Sequence, residues 1–251
     1  MVDVVFALTE SVNPRDYWFK LKNRVTEDEQ IELSTICRQF KLQSPDGKLR
    51  LTDCANTEGL FRIIQSIPSP KAEPFKRWLA KVGKERIDEI ENPELAQERM
   101  KLLYEQKGYP KTWIDKRLRG IAIRQALTDE WQERGIQEKS DFAILTAEIS
   151  SATFGMTPSE YKDFKSLPKE AKSNLRDHMD DLELIFTMLG EGVTTNISQN
   201  EKPQIMEAHK QVAKRGGKVA GNAREQTEKE IGRPVSTKQN FLDIEKQTKL
   251  Q

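Results

Sequence analysis

Apolar residues recur at helical spacing through most of the chain, interrupted once by a short run of strand-like alternation. The clearest helical pair covers residues 56–82. Leu60, Phe61, Ile63, Ile64 and Ile67 share one side of a helix that Asn56 can cap, and Glu58 suits its electropositive start. Ile67-Pro68-Ser69-Pro70 stops it, because a residue before proline avoids the helical region. Ser69 followed by Pro70 opens a second helix, with Ala72, Phe75, Trp78, Leu79 and Val82 turned inward. Ahead of this pair, residues 3–9 are a short apolar stretch, helix or strand. Asn13-Pro14 caps a helix that buries Tyr17, Trp18, Leu21 and Val25, and the acidic residues 26–32 read as a loop.

Alternation appears between 32 and 54. Ile36, Phe40 and Leu42 form the apolar set of one strand, Leu49 and Leu51 that of the next. Ser44-Pro45-Asp46-Gly47 joins them, with proline suited to the first central position of a type I turn and glycine to a positive φ. Putting both apolar sets on one face sets Leu42 opposite Leu49 and Phe40 opposite Leu51. Arg38 then faces Asp53 as a cross-strand ion pair, and Cys37 faces Cys54.

Asn92-Pro93 is another cap with a first-turn proline and marks a domain boundary. Leu95, Met100, Leu103 and Tyr104 define a helix ending at Gly108, and Pro110 starts the next. Residues 142–154 make an apolar helix capped by Ser140 or Asp141, and Thr157-Pro158-Ser159-Glu160 is a capping box. Leu175, Met179, Leu182, Phe186 and Leu189 alternate steps of four and three, the seam of a bundle helix ended by Gly190 and Gly192. Residues 194–203 read as polar and mobile. Gly217 and Gly221 lay a flat strip along a weakly apolar helix, suited to close helix contact.

The class is α+β: a small N-terminal domain with a β-hairpin and packed helices, then a mostly α-helical C-terminal region. The expected divisions are a domain at 1–92, a helical connector at 93–135, a bundle at 136–200 and a basic helical tail at 201–251.

Composition excludes several functions. Charged residues make up 32%, mean hydropathy is -0.73 and net charge is +1, and no apolar run is long enough to span a bilayer. The start has no basic n-region, so a cytoplasmic protein without a secretory signal is expected. Two cysteines and two scattered histidines supply no zinc spacing, and a reducing compartment argues against a Cys37–Cys54 disulfide. Asp177, His178 and Asp181, with Asp180 and Glu183 beside them, invite a metal site, but the plainer reading is a solvated helix face. No nucleophile set or phosphate loop has the right spacing, so no catalytic residue, metal or cofactor is expected.

Charge distribution says more than net charge. Residues 107–124 hold six cations against one acid, 70–86 six against two, and 204–251 ten against six. A cationic helix laid on phosphates gains affinity without reading sequence; the alternative is an ordinary solvated face. The candidate DNA-binding residues are Arg15, Lys20, Lys22 and Arg24 on the first long helix, Lys41, Lys48 and Arg50 on the hairpin, and Lys71, Lys76, Arg77, Lys81 and Lys84 on the second. Trp18, Phe61, Phe75 and Trp78 are assigned to the core rather than to base stacking.

The run NTEGLFRIIQSIPSPKAEPFKRWLAKVGKERI resembles the end of the Bro-N domain of baculovirus repeated-ORF proteins and phage antirepressors: a glycine-aromatic helix, a Ser-Pro corner, then A..F..W. The likeness spans 3–92 and implies a small α+β DNA-binding domain, from which the strands that usually precede this point are missing. SDFAILTAEI, LRDHMDDLELIFTMLGE and GGKVAGNAREQTEKEIGRPV resemble the C-terminal region of DNA-damage-inducible protein D, over 139–242. Together they imply a transcription regulator of the BRO/antirepressor type from a prophage setting. Its partners would be DNA and, through the helical region, a repressor or a second copy. The alternative is a DNA-damage-response protein acting on a recombinase filament.

Overall fold

The computed structural model describes residues 1–28, 36–44, 46–167 and 174–241, and the chain divides into two compact units, Met1–Gln97 and Glu98–Gln251. The division falls five residues beyond the expected boundary at 92.

The first unit contains α1 (Val2–Leu8), α2 (Pro14–Asp28), β1 (Cys37–Gln43), β2 (Leu49–Ala55), α3 (Thr57–Gln65), a 3-10 turn at Pro70–Ala72 and α4 (Glu73–Glu91); α5 (Glu94–Gln106) follows. The caps form as the residues dictate. Asn56 accepts from the Gly59 amide at 2.8 Å, Asn13 from Asp16 at 3.2 Å and Ser69 from Lys71 at 3.2 Å. Val5, Trp18, Leu21, Ile63, Ile64, Ile67 and Ala72 make one buried cluster. The acidic loop expected from 26 begins instead as helix, since α2 runs to Asp28; residues 29–35 lie outside the described ones.

The inward side of the second helix is corrected. α4 is one helix of 19 residues, but α3 has nine, about half its length. Ala72 is buried and Phe75 half-buried, while Trp78, Val82, Ile87 and Ile90 are exposed. Trp78 instead closes an aromatic trio with Phe61 and Phe75, at centroid distances of 6.1 and 5.4 Å.

The hairpin register is also corrected. Phe40 pairs with Thr52, Leu42 with Arg50, Gln39 with Asp53, Arg38 with Cys54 and Cys37 with Ala55, one residue away from expectation. The turn decides this. The Gly47 amide bonds the Ser44 carbonyl at 2.8 Å, the Ser44 amide bonds the Lys48 carbonyl at 2.9 Å, and Gly47 has φ +79. Ser44 therefore opposes Lys48, and left-handed Gly47 closes the connection between the strands. Phe40 and Leu42 lie on one face, Leu49 and Leu51 on the other, and all four are exposed. The cysteines sit on opposite faces as free thiols.

The second unit packs α6 (Lys111–Glu133), α7 (Lys139–Phe154), α8 (Pro158–Phe164), a 3-10 turn at Leu175–His178, α9 (Asp181–Glu201) and α10 (Met206–Ile231). α9 lies against α6, α7 and α10, and α10 against α7, so helices from the expected connector, bundle and tail pack together in the unit that begins at Glu98. The 175–189 seam is two elements, not one helix. Met179 is extended and Asp180 starts α9 through a reciprocal cap with Glu183 at 2.9 and 2.7 Å. Gly190 and Gly192 do not end it; helix continues to Glu201, and Thr194 and Ser198 are buried rather than mobile. The cap of α7 is Glu138, not Ser140 or Asp141. The glycine strip brings helices together as its composition suggests. A Cβ at Gly217 would lie 2.5 Å from the Ile149 carbonyl oxygen, and one at Gly221 2.4 Å from that of Ala152. His209, read as part of a polar tail, is 1% exposed.

Candidate nucleic-acid interface

The first unit puts the candidate cations to different uses. Lys22 and Arg24 are tied into the fold. Lys22 lies 2.9 Å from Asp53 Oδ2, which also accepts from Trp18 Nε1 at 2.6 Å, while Gln39 donates to Oδ1 at 2.9 Å. Burial pushes the Asp53 carboxyl up, but hydrogen bonds from Trp18, Gln39 and Lys22 outweigh it and hold the group at about 2. Arg24 donates to the Ser66 carbonyl at 2.6 Å and so fastens α2 to the end of α3.

Six candidates face an acid at the surface. Lys20 meets Asp16 at 2.8 Å, Arg50 meets Asp46 at 2.5 Å, Arg77 meets Glu73 at 3.1 Å, Lys81 meets Glu85 at 3.7 Å and Lys84 meets Asp88 at 2.6 Å. Lys71 is 3.7 Å from Glu10. Such pairs contribute about 0–1 kcal/mol each, so a phosphate can replace the acid at small cost. Among the described residues no acid is within pairing range of Arg15, Lys41, Lys48 or Lys76. Arg15, Lys41 and Lys48 are exposed, Lys76 half-buried.

Sequence reasoning missed Arg38 by assigning it to Asp53. In the observed register it stands exposed opposite Cys54, and Gln39 takes the place beside Asp53. The signal was in the turn: a glycine at the last loop position permits the left-handed residue that shifts the pairing by one.

Residues 12–85 match the family model described as BRO family, N-terminal domain. This Bro-N stretch runs from just before α2 into α4 and includes the whole hairpin. Every candidate from Arg15 to Lys84 falls inside it. No curated protein matches the chain.

Three of the six cations at 107–124, outside the Bro-N stretch, are spent inside the second unit, while Lys107, Lys111 and Arg119 stay exposed. Arg117 bonds Asp177 at 2.9 Å, Lys116 bonds Asp181 at 2.5 Å, and Arg124 reaches Glu191 at 3.3 Å and Thr146 at 2.6 Å. The carboxylates read as a solvated face are the other half of this network. Tyr104 also donates to Asp177 at 3.2 Å, and fully buried Glu183 accepts from Tyr161 at 2.5 Å and pairs with Lys165 at 3.0 Å. Burial pushes the Glu183 carboxyl up against the pull of Lys165. Among the described residues no group of three His, Cys, Asp or Glu side chains is placed to hold a metal ion, and no helix is long and apolar enough to cross a membrane.

Proposed function

We propose that the chain is a DNA-binding regulator of the BRO/antirepressor type, acting in the cytoplasm and engaging duplex DNA through its Bro-N unit. The observation that carries this reading is the coincidence of the family match with a surface whose cations are available. Arg15, Arg38, Lys41 and Lys48 stand exposed without an acid partner among the described residues, and the paired cations are held by exposed contacts. A polyanion gains from each of them by releasing condensed counterions. The helical unit serves in this reading as the platform for a protein partner or a second copy, and the chain catalyses nothing.

The test is the affinity of the full chain for a random 25-base-pair duplex, measured by fluorescence anisotropy between 50 and 200 mM salt. Four phosphate contacts predict a loss of roughly 100-fold over that range. A flat response to salt would overturn the proposal.

A further inference from the structure

We propose that the hairpin reads duplex sequence with one of its two faces, the one carrying Arg38, Phe40, Leu42, Arg50 and Thr52, turned to base edges in the major groove. The inference rests on the DNA-binding reading above and adds where its sequence specificity resides.

The choice of face follows from what holds the hairpin to its unit. Cys37 and Ala55 pack on the core, and Asp53 is held by Trp18, Lys22 and Gln39. These residues share one face, because successive side chains on a strand point to opposite sides. The base of that face is therefore committed to the domain. Arg38, Phe40, Leu42, Arg50 and Thr52 lie on the other.

Charge separates the faces in the same way. Arg38 and Arg50 stand on the outward face, and Lys48, opposite Ser44 at the loop, continues its alternation. No acid occupies a strand position there, whereas the domain-side face holds Lys41 and Asp53. The one acid near the outward cations is Asp46 in the loop, at 2.5 Å from Arg50, and both side chains are close to half exposed.

The residue types match what a groove presents. A two-stranded ribbon fits the B-DNA major groove, arginine suits guanine, threonine takes either donor or acceptor, and apolar side chains suit the thymine methyl. Phe40 and Leu42 are 53% and 46% exposed on the same face as the arginines. A purely electrostatic surface has no use for them; a reading surface does. The positive charge of the face, free of strand-borne acid, selects a polyanion over a partner protein as its occupant.

The experiment selects bound sequences from a random duplex pool with the full chain, then measures the ratio of affinity for the selected duplex to that for a scrambled one. Arg38→Lys keeps the charge and loses the guanidinium fork. It should leave scrambled-duplex affinity within about threefold and lower the ratio fivefold or more. Phe40→Ala with Leu42→Ala should lower the ratio likewise, while Leu49→Ala with Leu51→Ala on the other face should not. All these positions are exposed, and an unchanged melting temperature confirms folding. If the outward-face variants keep the ratio, or the Leu49/Leu51 variant loses it, the assignment is overturned. It is also overturned if the outward-face variants abolish self-association of the chain with the ratio intact, which would make this a protein-docking face. Salt-sensitive duplex binding that enriches no sequence defeats this inference and leaves the DNA-binding reading standing. Absence of salt-sensitive binding defeats both.

Discussion

Asp53 shows how one side chain can settle the role of several others. Its carboxylate gathers Trp18, Lys22 and Gln39, and its pKa falls from an ordinary 3.8 to about 2. Because the folded value lies below the unfolded one, the stabilisation is complete above about pH 4 and is lost as pH falls through 2. Asp53→Asn should therefore cost roughly 1–2 kcal/mol at neutral pH, with the gap to wild type closing towards pH 2. Urea unfolding at several pH values measures this; a gap independent of pH would contradict it. At Gly217 and Gly221, an added Cβ would meet backbone carbonyls on α7 at 2.5 and 2.4 Å. Gly217→Ala or Gly221→Ala should destabilise by about 1–3 kcal/mol in thermal melts. Gly83→Ala, in a helix with nothing within 4 Å, should stabilise by about 0.5–1 kcal/mol.

At the scale of elements, the hairpin is the instructive case. Its strands and turn were legible, since Ser44-Pro45-Asp46-Gly47 is a local signal. Its register was not, because the apolar pattern was read as if the ribbon had a buried face over its full length. The outer half of the ribbon has none: Phe40, Leu42, Leu49 and Leu51 are all exposed, so burial there does not choose the register and turn geometry does. Gly47→Ala places a side chain at φ +79 and should cost about 1–2 kcal/mol. It should speed amide exchange at the Ser44 and Lys48 end of the ribbon before the Cys37 end, read by NMR. Equal rates along both strands would show that the turn does not govern pairing. The candidate site shared this limit: Arg38 was lost from it by the same one-residue shift.

For the molecule as a whole, similar basic runs serve opposite ends. Lys116, Arg117 and Arg124 of the run at 107–124 are held by Asp181, Asp177 and Glu191, whereas most candidate cations of the Bro-N stretch, Lys22 and Arg24 apart, stay at the surface. If phosphate contact is the use of the latter, replacing Arg15 and Lys76 with glutamine should each reduce the salt slope of duplex binding by about one, uniformly across sequences. Lys116→Gln, in the second unit, should leave it unchanged. Anisotropy titrations at graded salt distinguish these outcomes.

The caps at Asn56, Ser69 and Thr157, the Gly47 turn and the helix-forming periodicities were determined by the sequence itself, because each depends on residues at most a few positions apart. Which face of the ribbon is held, which arginines are spent on carboxylates of the second unit, and why Gly217 lies against α7 were decided by tertiary structure. Those outcomes turn on backbones and charges brought together from about 15 to 70 residues away, where burial fixes the partners and local propensity has no say.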